Sequence, residues 1–319
     1  MSGEPRLVAD VGGTNTRLAL YDPASGAYRA RVDFRNRDYD NFAGVIDAWL
    51  AQLDEAPPRQ ASLAIAAPLA DDRIEMVNIG WQFSREALRA RFGWRAVRWL
   101  NDFEANAHAL PHLDNSELLT VQPGETNDGE RLAVIGPGTG LGGATLRRIA
   151  GEPVVGSGEP GHAGLSPGNP LELEIFALLL EHHPDIYTEL LVSGPGLQRL
   201  HQAITRIHGG AADALDPAQI TARALDGDDP LCRLTLATFC DLLGSACGDF
   251  ALVTGCWQGL FIAGGIVPRI AGFLGETAFL QRLQSKGAMR GILARMPVHI
   301  ITASHPGLVG AAHAPLLPT

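Results

Sequence analysis

Apolar residues along this chain form two kinds of pattern, short continuous runs and longer segments with helical spacing. Short apolar runs bounded by glycine, proline or polar residues predict buried strands. Apolar positions that repeat every three or four residues predict helices. The expected strands lie at residues 7–9, 17–20, 30–34, 62–67, 97–100, 132–135, 259–266 (ending in a turn) and 297–301. The expected helices lie at residues 41–53, from Ser84 onward, and at 171–181, 230–254 and 306–313.

One unit recurs within this pattern, an apolar strand followed directly by a glycine-rich turn. It occurs at residues 7–13, 132–143 and 260–265. After the first turn, two further strands should complete an antiparallel meander. With 319 residues, 46% of them hydrophobic, the chain is long enough for two domains or one large domain. Its 37 glycines and low aromatic content of 6% favour an α/β enzyme over an aromatic-rich binding module.

Charge and cysteine content narrow the range of partners and compartments. The formal net charge is −10 at pH 7, so neither nucleic acid nor an anionic membrane surface is expected as a partner. We recognise no signal peptide and no apolar stretch of about 18 residues, so we expect a cytoplasmic protein. The cysteines match no zinc pattern and should be buried free thiols; they are Cys232, Cys240, Cys247 and Cys256.

The first glycine-rich turn combines a carboxylate with candidate phosphate ligands. Asp10 lies near the end of the strand, Gly12 and Gly13 follow it, and Thr14 and Asn15 add side-chain donors. Glycines let backbone N–H groups approach phosphate oxygens closely, and a carboxylate beside phosphates suits Mg²⁺, bound directly or through water. A sharp turn also needs glycine for conformational reasons alone, so this turn by itself leaves both interpretations open.

The second and third turns contain neither an acid nor a base. Residues 136–143 hold five glycines and one hydroxyl, and the run Gly138, Thr139, Gly140 predicts a backbone cradle for an anion. At the third turn, Gly264 and Gly265 would allow the close approach of a flat or bulky group, such as a base or a ribose.

Two common nucleotide motifs do not fit these turns. A Walker-A sequence is missing. Residues 138–143 match the spacing of the dinucleotide fingerprint, but no acidic residue ends a second strand about twenty residues later. Glu159 lies instead in a loop of glycine and proline. The sequence therefore disfavours a dinucleotide site.

Further candidate residues follow other strands. Asn101 and Asp102 end the strand at 97–100, where they are compatible with a turn or helix N-cap and also with a general base. Glu159 and His162 lie in a loop too rich in glycine for a helix, and Glu189 precedes an apolar run and a Ser-Gly-Pro-Gly turn. Taken singly, each of these last three would be an ordinary surface or turn residue.

Six motifs, in order along the chain, resemble the bacterial glucokinase family. They are DVGGTN at 10–15, LNDF at 100–103, GTGLG at 138–142, GEPGH at 158–162, SGPG at 193–196 and AGGIVP at 263–268. The resemblance covers about residues 6–312. It implies the actin/hexokinase/sugar-kinase superfamily, an α/β fold of the actin-like and ribonuclease-H-like ATPases, with two domains and a cleft between them. The bounds expected for the small domain are 1–108 with 302–319, and for the large domain 109–301.

The same resemblance implies an activity, ATP- and Mg²⁺-dependent phosphorylation of glucose to glucose 6-phosphate at the start of glycolysis, by a homodimer. Asp102 matches the catalytic base. The residues matching the sugar-binding set are Asn101, Asp102, Glu159, His162 and Glu189. The residues implied to bind ATP are Asp10, Gly12, Gly13, Thr14, Asn15, Gly138, Thr139, Gly140, Gly264 and Gly265, with Asp10 holding Mg²⁺ directly or through water.

Departures from the family pattern and alternative functions also bear on the site. Pro160 stands where relatives commonly have glycine, and Ile79 where they often have histidine. The cysteine-rich zinc signature of a related repressor and kinase family is missing, so no structural zinc is expected.

A sugar-sensing regulator would need a DNA-binding module, for which a first strand at about residue 6 leaves no expected room. A second alternative is an ATPase without a sugar acceptor, in which the sugar-binding set would have no role. ADP formation that does not depend on glucose would favour this ATPase over a sugar kinase.

Overall fold

A computed structural model describes residues 3–125, 129–210 and 214–316. Within these residues the strands are β1 (Arg6–Val11), β2 (Asn15–Asp22), β3 (Ala27–Arg35), β4 (Gln60–Ile65), β5 (Arg73–Met76), β6 (Trp81–Ser84), β7 (Ala96–Asn101), β8 (Leu118–Gln122), β9 (Arg131–Pro137), β10 (Leu141–Ile149), β11 (Glu152–Gly158), β12 (Gly259–Ile262) and β13 (Val298–Ile301). The α-helices are α1 (Phe42–Leu50), α2 (Arg85–Phe92), α3 (Asp102–Ala109), α4 (Pro170–Leu180), α5 (Thr188–Leu191), α6 (Gly194–Ile207), α7 (Pro217–Asp226), α8 (Pro230–Thr254), α9 (Ala271–Leu274), α10 (Phe279–Gln284), α11 (Arg290–Leu293) and α12 (Pro306–His313).

The internal contacts divide the described chain into two units. Unit 1 comprises residues 3–114, 149–157 and 303–316, and unit 2 comprises the described residues of 115–148 and 158–302. The functional domains expected from the sequence, 1–108 with 302–319 and 109–301, stay a prediction.

The sheet of unit 1 has the strand order β3-β2-β1-β4-β7. Strands β1, β2 and β3 form the predicted antiparallel meander, while β4 and β7 continue the sheet in parallel with β1. Side chains of β1 alternate between the two faces. On one face Leu7, Ala9 and Val11 pack in a core that includes Trp49 of α1, and on the other Val8 packs with residues of α3 and α12. Asp10 therefore shares the face of α12.

The second large sheet, whose strands β8, β9, β10, β12 and β13 belong to unit 2, has the order β11-β10-β9-β12-β13-β8. Strand β9 pairs antiparallel with β10 and parallel with β12, and β12 pairs parallel with β13. The apolar core beside this sheet includes residues of α6, α8 and α10.

Helix α8 is the 25-residue helix that the sequence pattern predicts. In the part of the chain that the structure describes, it is the one helix long and apolar enough to span a membrane by length and composition, although the sequence analysis recognised no such stretch. Two thirds of its most apolar window, 67%, is buried inside the protein. Its apolar composition is thus accounted for by packing in the core of unit 2.

Capping residues explain where several helices begin. Ser84 accepts a hydrogen bond from the Ala87 N–H at 3.0 Å and starts α2, as expected from the sequence. Proline occupies the first helical position of α4, α7, α8 and α12, where its missing N–H would have had no helical partner.

Candidate active site

In unit 1 the first glycine-rich turn connects β1 to β2. Asp10 lies opposite Arg17 in the strand pair, and the Gly12 N–H donates to the Asn15 carbonyl oxygen at 3.0 Å. Gly13 and Thr14 therefore form the tip. The turn lines a cavity of about 630 Å³, whose wall is formed by Gly13, Thr14, Asn15, Arg35, Asn36, Arg37, Tyr39, Asp40, Asn78, Ile79, Gly80 and Trp81.

The Asp10 carboxylate is held between a cation and the start of a helix. Arg17 Nη1 donates to Asp10 Oδ2 at 3.1 Å. A Cβ atom placed on Gly307, in the first turn of α12, would lie 2.9 Å from Asp10 Oδ1, so a side chain at that position would push against the carboxylate. Burial raises the pKa of Asp10, and the Arg17 guanidinium opposes that shift. Of the two carboxylate oxygens, Oδ2 therefore binds Arg17, and Oδ1 faces Gly307.

The same turn is also held by Asn36, a residue that was not predicted from the sequence. Asn36 follows β3 and is only 2% exposed. Its Nδ2 donates to the Gly12 carbonyl oxygen at 2.8 Å, and its backbone N–H donates to the Thr14 carbonyl oxygen at 3.0 Å. Thr16 Oγ1 donates to Asn36 Oδ1 at 2.8 Å. In the sequence, Asn36 lies between Arg35 and Arg37 and is indistinguishable from an ordinary polar turn residue.

In unit 2 the second turn is shorter than the sequence analysis expected. Strand β9 continues through Pro137 and β10 begins at Leu141, so Gly142 and Gly143 belong to a strand and only Gly138, Thr139 and Gly140 form the turn. The Gly138 N–H donates to the Gly140 carbonyl oxygen at 2.7 Å. The Gly194 N–H, at the start of α6, donates to the Gly138 carbonyl oxygen at 2.8 Å.

Glu189 lies beside this second turn. It belongs to the short helix α5, and its Oε2 accepts a hydrogen bond from the Leu141 N–H at 2.7 Å. Cβ atoms placed on Gly140 and Gly161 would lie 2.5 and 3.1 Å from that same oxygen. The structure therefore brings Glu189, the Gly138–Gly140 turn and the loop at 159–162 together within unit 2.

The loop at 159–162 contains a single 3₁₀ turn, Pro160–His162, where the sequence analysis expected no helical structure. Pro160 stands at the first position of that turn, so its missing N–H costs no helical hydrogen bond. The imidazole of His162 stacks on Tyr187, with ring centroids 5.5 Å apart and planes 5° from parallel. Glu159 and His162 are both exposed.

The third turn requires glycine at one of its two positions. Gly264 has φ +92°, and a Cβ atom there would lie 3.0 Å from the carbonyl carbon of Pro137. Backbone conformation and the close approach of β9 thus both exclude a side chain. A Cβ atom on Gly265 would meet no atom within 4 Å, so its surroundings leave open space for a ligand.

Asn101 and Asp102 lie where β7 becomes α3, and the N-cap interpretation of Asn101 is confirmed. Asn101 Oδ1 accepts from the Phe103 N–H at 3.0 Å, and Glu104 Oε2 accepts from the Asn101 N–H at 2.9 Å, which completes a capping box. Asp102 is the first helical residue, and its Oδ1 also accepts from the Phe103 N–H at 3.0 Å.

Strand register places the two acidic candidates of unit 1 at one edge of its sheet. Val11 pairs with Ile65, and Ile65 pairs with Asn101, so these residues form one row across three parallel strands. With strands spaced roughly 4.8 Å apart, the row spans about 10 Å. Asp10, the last but one residue of β1, and Asp102, directly after β7, therefore lie at the same carboxyl edge, where ligands bind in open α/β sheets.

The expectations for cysteine are confirmed. All four thiols are free and buried. Burial raises the pKa of Cys232 to about 12 and that of Cys256 to about 11, so both stay protonated near neutral pH. Among the described residues, no group of three or more His, Cys, Asp or Glu side chains is arranged to hold a metal ion.

Comparison with known proteins identifies relatives along nearly the whole chain. The Glucokinase family model matches residues 7–316. The glucokinase of Chromobacterium violaceum is 41% identical over 308 residues, covering 97% of this chain and 88% of that protein. The glucokinase of Aromatoleum aromaticum is 40% identical over 315 residues, covering 97% and 94%.

A solved structure agrees with the sequence relatives. The crystal structure of glucokinase from an Antarctic psychrotroph has a TM-score of 0.88 and 36% identity, covering 97% of this chain and 98% of that one. The α/β fold of the actin-like ATPases, expected from the six motifs, is confirmed. Because the family match runs through both units from Leu7 to Leu316, the chain belongs to the glucokinase family.

Proposed function

We propose that this protein transfers the γ-phosphoryl group of ATP to the 6-hydroxyl of glucose, producing glucose 6-phosphate and ADP at the entry to glycolysis. The observation that carries the proposal is full-length membership of the glucokinase family, with identities of up to 41%. The glycine-rich turns add support, because two of them end in hydrogen-bonded tips suited to phosphate oxygens.

The nucleotide is assigned to the three turns. In the first turn, Gly13, Thr14 and Asn15 bind phosphate oxygens, while the Gly12 N–H closes the turn on the Asn15 carbonyl oxygen. In the second, Thr139 and Gly140 bind phosphate oxygens, while the Gly138 N–H closes the turn on the Gly140 carbonyl oxygen. Gly264 and Gly265 accept the base or ribose, which is consistent with the open space beside Gly265.

Asp10 is the proposed Mg²⁺ ligand. Arg17 engages its Oδ2, which leaves Oδ1 for the metal or for a metal-bound water. A single carboxylate fits Mg²⁺ in a nucleotide site, because this ion keeps several waters and takes its other ligands from phosphate. When bound, the ion neutralises phosphate charge and orients the γ-phosphoryl group.

Asp102 is the proposed general base. As the glucose O6 bonds to the γ-phosphorus and the bond to the ADP oxygen breaks, the Asp102 carboxylate accepts the O6 proton. Phosphoryl transfer of this kind depends chiefly on orientation, so the position of Asp102 at the rigid start of α3 matters as much as its basicity.

Asn101, Glu159, His162 and Glu189 are the proposed partners of the sugar hydroxyls, together with Asp102. Existing hydrogen bonds limit what two of them can offer. Glu189 uses Oε2 for the Leu141 N–H, so Oε1 is left for a hydroxyl. Asn101 uses Oδ1 in its cap and donates one amide N–H to the Ala67 carbonyl oxygen at 3.5 Å, so its second amide N–H is left. A sugar epimer that leaves one such group unpaired loses about 1–3 kcal/mol of binding free energy.

We also assign the enzyme to the cytoplasm as a homodimer. Four free, buried thiols fit a reducing compartment. The dimer rests on likeness to the family and would be measured by light scattering after size-exclusion chromatography. A net charge of −10 gives no reason to expect a nucleic-acid or membrane partner.

A coupled assay of ADP formation, with and without glucose and with a panel of other hexoses, tests the proposed function. We expect ADP to form only with a sugar acceptor; sugar-independent hydrolysis would point to an ATPase instead. Asp102→Asn should lower kcat by about 100- to 10,000-fold and leave glucose affinity within about tenfold. The control is Asp47→Asn on α1, whose exposed carboxylate pairs with Arg91. An Asp102→Asn enzyme with wild-type kcat would refute the assignment of the base.

A further inference from the structure

Asn36 uses both ends of its carboxamide and its backbone N–H in one small hydrogen-bond network. Nδ2 binds the Gly12 carbonyl, the backbone N–H binds the Thr14 carbonyl, and Oδ1 accepts from Thr16. Two of these three partners are backbone groups of the first glycine-rich turn. An asparagine that is 2% exposed is thus committed to the shape of that turn.

The turn needs such support because its own sequence does not specify one conformation. Gly12 and Gly13 are consecutive glycines, which have the widest range of backbone conformations. In a trans peptide the C=O and the following N–H lie in one plane and point in opposite directions. Holding the Gly12 carbonyl therefore fixes the direction of the Gly13 N–H, and holding the Thr14 carbonyl fixes that of the Asn15 N–H.

Thr16 sets which way the Asn36 carboxamide faces. A carboxamide rotated by half a turn would place Oδ1 against the Gly12 carbonyl, so two acceptors would face each other. With the observed orientation, the Thr16 hydroxyl donates to Oδ1 and Nδ2 donates to Gly12. Thr16 is fully buried, so water does not compete for this hydrogen bond.

We propose that Asn36, oriented by Thr16, is a positioning residue that holds the Gly13 and Asn15 N–H groups of the first turn in the geometry that binds nucleotide phosphate. The inference rests on the proposed function, because it takes this turn as a phosphate site. Asn36 acts through the backbone of the turn and needs no contact with the nucleotide.

Asn36→Ala tests the proposal through nucleotide affinity. Removing the side chain frees the Gly12 carbonyl, so we expect the Kd for ADP with Mg²⁺, measured by calorimetry, to rise about tenfold. The KM for ATP should rise by a similar factor, while the KM for glucose stays within about twofold. A matched control is Asn41→Ala, which removes another asparagine hydrogen bond of unit 1, the 3.0 Å N-cap bond to the Gly44 N–H. This control should lower thermal stability and leave the Kd for ADP unchanged.

Substitutions at Thr16 test the same network without removing Asn36. Thr16→Val keeps the shape and removes the hydroxyl, and Thr16→Ser keeps the hydroxyl. We expect Thr16→Val to raise the Kd for ADP about fivefold and Thr16→Ser to bind ADP like the wild type. Amide hydrogen exchange of a peptide covering residues 8–18 should be faster in Thr16→Val and Asn36→Ala and unchanged in Asn41→Ala. If Asn36→Ala does not fold, the Thr16 pair still decides the question.

The outcomes separate this inference from the proposed function. If the wild type phosphorylates glucose but Asn36→Ala and Thr16→Val bind ADP like the wild type, the inference is wrong and the function stands. It is also wrong if Asn41→Ala weakens ADP binding as much as Asn36→Ala, since general destabilisation then explains the effect. If the wild type binds ADP without phosphorylating any hexose, the function fails, and weaker ADP binding by Asn36→Ala still supports the inference.

Discussion

The central strand of each large sheet, β1 in one and β9 in the other, has the same neighbours. Each pairs antiparallel with the strand that follows its glycine-rich turn, and parallel with the next strand of the sheet. The orders β3-β2-β1-β4-β7 and β11-β10-β9-β12-β13 are therefore equivalent. The two turns differ in length, but their positions can be compared from the strand that precedes each of them.

The turns differ in how their first carbonyl is held. The Gly12 carbonyl accepts from the side chain of Asn36, whereas the Gly138 carbonyl accepts from the backbone N–H of Gly194 at the start of α6. A glycine-rich turn does not fix its own conformation, so both need an outside donor. One support can be removed by a single substitution, and the other belongs to the main chain.

The turns also differ two residues earlier, at Asp10 and at Gly136. Asp10 has room for a carboxylate, with Arg17 beside it and Gly307 in the first turn of α12 facing it. A Cβ atom on Gly136 would lie 2.6 Å from the carbonyl carbon of Ala263. The same topology therefore leaves space for a carboxylate at the first turn, the proposed Mg²⁺ ligand, and excludes any side chain at the corresponding position of the second.

Asp10→Asn should show the largest effect if the first turn alone supplies the metal ligand. The neutral amide keeps the shape but is a much weaker Mg²⁺ ligand, so we expect kcat/KM for ATP to fall by about 100- to 1,000-fold. Steady-state kinetics at several Mg²⁺ concentrations would measure it. The control is Asp33→Asn, whose carboxylate also lies near Arg17, at 3.6 Å, but is more exposed. Equal losses of kcat/KM in the two variants would show that Asp10 acts by pairing with Arg17 and does not bind a metal.

Gly136→Ala tests, through protein stability, whether the close packing of Gly136 against Ala263 excludes a side chain. The methyl group would overlap the backbone of Ala263, so β9 and β12 must move apart, which we expect to cost about 2–3 kcal/mol. Thermal unfolding followed by circular dichroism would measure the loss. Gly138→Ala is the matched control, because a Cβ atom there meets no atom within 4 Å. A Gly136→Ala protein as stable as that control would contradict the packing explanation.

Local patterns predicted much of the fold. Helices α8 and α12 have the bounds expected from the helical spacing of apolar residues. The meander at the N-terminus followed from short apolar runs and the turn residues between them. The hairpin of β5 and β6 and the helices α6 and α7 were missed, because short polar-rich segments and a Ser-Gly-Pro-Gly start resemble turns.

The site was predictable where the chemistry lies within one motif. The DVGGTN motif located the first turn, but Arg17 and Asn36 support it from positions set by strand register and by the end of β3. Arg17 could have been found, because a two-residue tip at Gly13 and Thr14 places residue 17 opposite Asp10. Asn36 could not, since nothing local distinguishes it. Likewise, no sequence spacing connects Glu189 with the Leu141 N–H, 48 residues away.

Substitutions at Glu189 can separate the two roles proposed for this residue, support of the second turn and binding of the sugar. Glu189→Gln can still accept the Leu141 N–H, so the turn should keep its geometry and the KM for ATP should stay within about twofold. Loss of the charge should weaken glucose binding about tenfold, because hydrogen bonds to a charged acceptor are stronger. Glu189→Ala removes both functions and should raise both KM values. If Glu189→Gln raised the KM for ATP alone, Glu189 would support the turn without binding the sugar.

The smallest predicted effect concerns two histidines of unit 1, His108 in α3 and His313 in α12. Burial lowers the pKa of His108 to about 4, with help from Arg98 and His112. Burial also lowers the pKa of His313 to about 4. Among the described residues, His108 Nε2 is buried without a hydrogen-bond partner. The neutral ring is therefore the form that unit 1 accommodates.

Below its ordinary pKa of 6.5, His108 binds a proton more readily in the unfolded chain than in the folded one. The neutral His108 ring contributes fully to the free energy of unfolding at pH values well above 6.5, and this contribution is lost as the pH falls towards 4. Between pH 7 and pH 6 the loss is about 0.7 kcal/mol. His108→Leu should remove that part of the decline, and His182→Gln, at an exposed site in unit 2, should not. Urea unfolding followed by tryptophan fluorescence reports mainly on unit 1, since four of the five tryptophans, Trp49, Trp81, Trp94 and Trp99, lie there. If His108→Leu kept the full pH dependence, the proton uptake would come from other groups and the assignment to His108 would be wrong.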